Sequence, residues 1–148
     1  MANPSRTIPP EYLGTRFRVD RQPAAWPPSF VIVTAWATTG EVWSEEANRA
    51  ADEELAQRLG ALDVWHHRIT GYDPNSDHAE PSWAVEQSLE DAVKLALEFK
   101  QLGVFHVVDG ELWVRMCRDP RGAAQRVALF LDRLDDFFGR ATELASRS

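Results

Sequence analysis

The chain has 148 residues, 44% of them hydrophobic, which suits one domain with a sizeable core. Its formal net charge of −7 argues against general binding to nucleic acid or to an anionic membrane surface. Cys117 is the single cysteine, so no intrachain disulfide can form. The N-terminal segment lacks the apolar stretch of a secretory signal, and no apolar run is long enough to span a bilayer. We therefore expect a cytoplasmic protein.

The first part of the chain predicts an arm followed by two strands. Residues 1–9 contain two prolines and predict a loose N-terminal arm, and residues 10–148 predict a single α+β domain. Phe17 and Val19 alternate with charged residues, which is typical of a strand with one buried face. The run FVIVTAW at 30–36 is apolar on both faces, so it predicts a strand that is covered on both sides.

Two helices and two strands are predicted in the middle of the chain. Ser44 precedes two acids and predicts an N-cap, and Gly60 predicts the end of that helix. Residues 62–70 and 82–86 alternate as strands do. Ser88 predicts the N-cap of a second amphipathic helix.

The segment VFHVVDGELWVRM predicts a hairpin with a two-residue Asp-Gly turn. In that hairpin Val107 faces Leu112, and His106 faces Trp113 on the opposite side. Asp119 then predicts the N-cap of a last helix, since a proline follows it. The apolar side of this predicted helix consists of Val127, Phe130, Leu131, Leu134, Phe137, Phe138 and Ala141.

The predicted order of elements is β-β-α-β-β-α-β-β-α. Its middle, β-α-β-β-α-β, is typical of ferredoxin-like folds. We therefore predict an α+β fold with a ferredoxin-like core, a mostly antiparallel sheet, an added hairpin strand and a long C-terminal helix.

Five segments of the chain together resemble the pattern of a known family. They are YLGTRFRV, FVIVTAW, SEEAN, GYDPNSDHAEPSWAV and FKQLGVFHV with ELWV. In their order and spacing, the chain resembles a bacterial family called domain of unknown function 3293. The resemblance implies no activity, but it implies which positions share the family pattern. These positions are Thr34, Ala35, Ser44, Asn48, Gly71, Asp73, Pro74, Glu80, Pro81, Ser82 and Gln101. Where relatives carry Asn-Pro, this chain has Ala37 and Thr38, so a function that needs that asparagine would be absent or altered here.

The polar residues at element ends predict a candidate site with Glu80 as the catalytic candidate. Its binding residues would be Thr34, Ser44, Asn48, Asp73, Ser82 and Gln101. The alternative interpretation is structural, since polar groups at the ends of elements usually bond the backbone as caps and turns.

A metal site is not expected, although residues 66–80 contain several metal-ligating side chains. His66 and His67 point to opposite faces of a strand, and no H-x-x-x-H or H-E-x-x-H spacing is present. The acids also lack the spacing of a calcium loop. No cofactor motif is present, so no cofactor is predicted.

Two functional hypotheses remain open. The first is a non-enzymatic binding or regulatory domain with an acidic, Trp-bearing surface that meets a protein partner or a second copy of the chain. The tryptophans in question are Trp26, Trp36, Trp43 and Trp83, each of which can instead pack over the core. The second is a small-molecule hydrolase that uses Glu80 as general acid or base. In that hypothesis Asn48, Ser82 and Gln101 orient the substrate, and Cys117 is a buried apolar residue rather than a nucleophile.

Overall fold

The computed structural model describes residues 8–36, 43–118 and 124–136. Its helices are α1 (Pro10–Gly14), α2 (Glu45–Leu62) and α3 (Leu89–Glu98), with a 3₁₀ helix at Phe130–Arg133. Its strands are β1 (Arg16–Val19), β2 (Ser29–Thr34), β3 (His66–Tyr72), β4 (Ala79–Val85), β5 (Gly103–Val108), β6 (Glu111–Met116), β7 (Ala124–Leu129) and β8 (Leu134–Asp136).

The predicted fold, a ferredoxin-like core with a long C-terminal helix, is wrong. The described strands form a single mixed eight-stranded sheet that curls into a half barrel, in the order β7-β6-β5-β2-β4-β3-β1-β8. Neighbouring strands are antiparallel except for β1 and β8, which run parallel. Three helices accompany this sheet in the described residues.

The error lies after the hairpin, where a helix was predicted and two strands are found. Residues 124–129 pair with β6, and Leu134 begins a strand that pairs with β1. Phe130 is buried between the two strands, whereas Leu131, placed on the buried side of the predicted helix, is 68% exposed. The predicted positions 119, 120, 137, 138 and 141 lie outside the described residues.

The hairpin and both helix caps are confirmed. Val107 pairs with Leu112 and His106 with Trp113 across β5 and β6. The side chain of Ser44 accepts a bond from the Ala47 amide, and Ser88 likewise caps α3. Helix α2 runs past Gly60, and a left-handed Asp63 (φ 53°) ends it instead.

The sheet has a buried cluster on each face. The helix-side core lies under α2 and α3 and consists of Val31, Val33, Ala35, Leu55, Leu59, Val85, Ala92, Leu95, Ala96, Phe99, Val104 and Cys117. The aromatic core fills the other, concave face and consists of Phe17, Val19, Phe30, Ile32, Ile69, Ala84, Phe105, Val107, Leu112, Val114 and Phe130. Strand β2 contributes alternate residues to both, which explains its apolar sequence.

Residues that precede β2 cover part of the aromatic core. Tyr12 of α1 packs against it, as does Ile8, which lies within the predicted N-terminal arm. Trp26 stacks on Phe30 with ring centroids 5.2 Å apart. On the other face, α3 packs on β2 and β5 and α2 on β4, so β6 and β7 extend the sheet beyond the strands that these helices mainly cover.

Candidate functional site

Glu80 lies near the start of β4 and faces the concave side of the sheet. Side chains alternate along a strand, and Ala84 of the same strand belongs to the aromatic core, so Glu80 and Ser82 share its face. The Glu80 side chain is 26% exposed. Its Oε1 lies 3.0 Å from Nε2 of His78, which is itself well exposed.

Burial makes Glu80 a weaker acid than an ordinary glutamate. Loss of hydration raises the pKa of Glu80, and the bond from His78 only partly opposes that shift. Tyr12 is close enough for its phenol to be affected by the same carboxylate. Burial raises the pKa of Tyr12, the charge of Glu80 raises it further, and a backbone bond from Gly103 lowers it. Such a carboxyl group can hold or release a proton closer to neutral pH.

Thr34 and Ser82 face each other across β2 and β4, on the same side of the sheet as Glu80. The Thr34 hydroxyl donates to the carbonyl oxygen of Pro81 at 2.9 Å and accepts from the Trp36 amide. The Ser82 hydroxyl donates to the carbonyl oxygen of Glu80 at 3.0 Å. Both hydroxyl hydrogens therefore bond the backbone.

Of the other predicted binding residues, Ser44 and Asn48 belong to α2 and Gln101 follows α3. Ser44 caps α2, and Asn48 is buried on the α2 face that carries Leu55 and Leu59 of the helix-side core. Gln101 donates from Nε2 to the carbonyl oxygens of Trp36 (2.8 Å) and Phe99 (3.1 Å). The Ser44 and Gln101 contacts match the structural interpretation, in which polar residues satisfy the backbone.

Asp73 organises the turn between β3 and β4. Its Oδ1 accepts the amide of Asn75 at 2.9 Å, and its Oδ2 accepts the hydroxyl of Ser76 at 3.1 Å. These are the bonds of an Asx turn, and they use both carboxylate oxygens. Asp73 thus shapes the loop that carries the chain to His78 and Glu80.

The fold thus places Glu80, Thr34 and Ser82 on one face of the sheet and Ser44 and Asn48 on α2. Gln101 bonds the backbone of Trp36, which Thr34 also bonds. The sequence did not identify Tyr12 as a neighbour of Glu80. A residue of the first helix comes near β4 only through tertiary packing, so no local pattern signals their proximity.

Metal-ligating and thiol side chains give no further site in the described part of the chain. No three His, Cys, Asp or Glu side chains within 8–36, 43–118 and 124–136 are grouped so that they could hold a metal ion. Cys117 is 6% exposed in the helix-side core, as predicted for a small apolar residue. Burial raises the pKa of its thiol to about 11.

All six tryptophans are half-buried. Trp83 lies under the guanidinium of Arg68, whose central carbon is 3.9 Å from the ring centroid. Arg68 also bonds both carboxylate oxygens of Asp52 on α2, which ties the helix to the sheet. Among residues 8–36, 43–118 and 124–136, the large apolar side chains that are exposed are all leucines, namely Leu62, Leu97, Leu129 and Leu131.

Comparison with known proteins confirms the resemblance drawn from the sequence. Residues 33–104 match the model of a family described as "Protein of unknown function (DUF3293)". No curated protein and no solved structure matches the chain. Within the part that the structure describes, no helix has the length and apolar character that crossing a membrane requires.

Proposed function

We propose that the chain is a non-enzymatic binding domain whose acidic helix layer binds a basic protein partner. Residues 33–104 match the model of a family of unknown function, so the proposal is drawn from the surface of this region. Both helices of that layer, α2 and α3, lie inside the matched residues.

The distribution of charge carries this proposal. Helices α2 and α3 hold eight acidic residues and three basic ones, a formal net charge of −5 out of −7 for the whole chain. Asp52 points inward to Arg68. The others are exposed: Glu45, Glu46, Glu53, Glu54, Glu90, Asp91 and Glu98. A field of one sign on one layer attracts a partner of the opposite sign and speeds its association.

The two helices form one continuous surface. Arg58 of α2 pairs with Glu98 of α3 at 2.5 Å, so the helices touch through their outer side chains. Leu62 (50% exposed) and Leu97 (39% exposed) add apolar area near the ends of the same helices. Acids around exposed leucines suit a basic amphipathic segment. A second copy of the chain would instead bring acids against acids, which disfavours self-association through this layer.

A binding assay with a defined probe tests the proposal. The probe is a fluorescent amphipathic peptide of lysine and leucine, and the test variant is Glu53→Gln with Glu54→Gln. The matched control is Glu11→Gln with Asp20→Asn, two exposed acids outside the helix layer. We expect the helix variant to weaken binding about three- to tenfold at low salt and the control to leave it unchanged.

Two results would contradict this function. Equal weakening by both variants would mean that only the overall negative charge attracts the peptide. If the wild-type chain does not bind the peptide at low salt, the acidic layer is not a docking surface for basic segments.

The hydrolase hypothesis retains one supporting observation, the buried carboxyl group of Glu80 beside His78. Against it, Ser82 and Gln101 already bond the backbone and Asn48 belongs to the helix layer. A panel of ester, amide and phosphate substrates tests this alternative. Turnover that disappears in Glu80→Gln, with an unchanged melting temperature, would favour hydrolysis over binding.

A further inference from the structure

A cleft opens on the helix side of the sheet, where β6 and β7 extend past α3. It encloses about 210 Å³. Its lining consists of Leu89, His106, Val108, Trp113, Arg115 and Ala124. These residues come from the first turn of α3 and from three adjacent strands, β5, β6 and β7, so regular elements fix their positions.

Arg115 is the unusual member of this lining. Of the half-buried arginines in the described residues, Arg16 and Arg68 pair with acids and Arg133 bonds two carbonyl oxygens. Arg18 lies over the ring of Tyr72. Arg115 has no acidic or carbonyl partner in the described part of the chain, although the protein as a whole is acidic. A partly desolvated guanidinium without a partner favours an anion that can accept two parallel hydrogen bonds.

His106 adds a polar group without adding charge. Burial lowers the pKa of His106, and the neighbouring Arg115 lowers it further, so the ring is neutral at physiological pH. Its Nε2 lies 3.3 Å from the hydroxyl of Ser29, which holds the ring in place. Arg115 therefore supplies the positive charge of the cleft, and Leu89 and Val108 supply apolar walls.

The remaining lining suits a flat apolar group. Trp113 presents an aromatic surface, and Ala124 opposite Arg115 on β7 leaves space because its side chain is small. A dry cavity of about 150 Å³ is enough for benzene, so this cleft has room for one ring with a carboxylate.

We propose that this cleft binds a small aromatic carboxylate, with the carboxylate on the Arg115 guanidinium and the ring against Trp113. Five of the six lining residues lie beyond position 104, outside the family match, so the site belongs to this chain rather than to the matched region. The site is also distinct from the acidic helix layer, because the cleft attracts anions whereas the helix layer attracts cations.

Titration of the full chain followed by NMR tests the proposal, with the Trp113 indole N–H as the reporter. The probes are benzoate, the neutral analogue benzamide and the ring-free acetate. We expect saturable binding of benzoate that is at least tenfold tighter than that of either analogue. Arg115→Gln should weaken benzoate binding tenfold or more. Arg49→Gln is the matched control, because Arg49 lies on α2, is exposed and pairs with Glu45; it should retain wild-type affinity.

Several outcomes would overturn the site. Equal binding of benzoate and benzamide would exclude a role for the charge, and equal binding of acetate would exclude the ring contact. Equal losses in the two arginine variants would leave only a general electrostatic attraction. Contacts between the Trp113 indole and residues 137–148 in the ligand-free protein would show that the chain fills its own cleft. Absence of any shift at Trp113 with benzoate would refute the proposal directly.

Discussion

The Arg16 guanidinium bonds both carboxylate oxygens of Asp135, at 3.1 and 3.0 Å, across a separation of 119 residues. The Tyr72 hydroxyl donates to the same carboxylate from β3. Asp135 therefore fastens the last described strand to two strands from earlier in the chain. The contact is only partly exposed, with 15% of the Asp135 side chain accessible.

We predict that Asp135→Asn destabilises the fold by about 1–3 kcal/mol, because it removes a bidentate ion pair and leaves Arg16 half-buried without its acid. Denaturant unfolding measures the change, and Asp132→Asn, an exposed acid three residues earlier, is the control. If the two variants unfold at the same denaturant concentration, the Arg16–Asp135 pair contributes nothing to the edge of the sheet.

Sequence patterns located the elements whose signals are local. Ser44 and Ser88 act as caps through bonds three residues away, and the hairpin follows from a two-residue turn. The pairing of Leu134 with Phe17 has no such local signal, since its partner lies near the other end of the chain. Apolar residues at 127, 130 and 134 fit a helical period equally well, and periodicity alone therefore predicted a helix.

The same distinction between local and long-range signals applies to the candidate site. Glu80 was selected as a candidate from the sequence pattern, and in the structure its side chain is partly buried. Its placement relative to Asn48 was not predictable, because Glu80 lies on the concave face of β4 whereas Asn48 lies on a helix that packs on the other face. Arg115 gave no sequence signal either, since its lack of an acidic partner among the described residues can be recognised only from the folded structure.

The pH dependence of stability provides a test of Glu80. Because the pKa of Glu80 is raised in the folded state, its contribution to stability is fully present below the ordinary carboxyl pKa and is lost as pH rises through the folded value. Glu80→Gln removes the buried charge. We therefore expect it to raise the melting temperature at pH 7 and to match the wild type near pH 4.

The exposed neighbour Asp77 supplies the control for that experiment, since Asp77→Asn changes the charge by the same amount in the turn that precedes β4. A lower melting temperature for Glu80→Gln at pH 7 would mean that the bond to His78 outweighs the cost of burying the carboxylate. Glu80 would then be a structural residue.

Cys117 offers a probe of the helix-side core. With a pKa of about 11, its thiol is roughly a hundredfold less ionised at pH 8 than an ordinary cysteine, and it is also sterically covered. We expect its reaction with Ellman's reagent to be at least a hundredfold slower in the native protein than in urea. Comparable rates in both solvents would mean that the core opens readily around β5 and the turn after β6.

The two cores differ in where their residues come from. Ten of the twelve residues of the helix-side core lie within 33–104, whereas only Ile69 and Ala84 of the aromatic core do. A gene fragment limited to the family match would thus encode the helix layer and most of the helix-side core. It would lack most of the aromatic core, so the concave face of the sheet would be exposed to solvent. Such a fragment would also lose the first residues of β2 and the hairpin partner of β5. We expect it to aggregate when it is expressed alone, because that concave face is apolar.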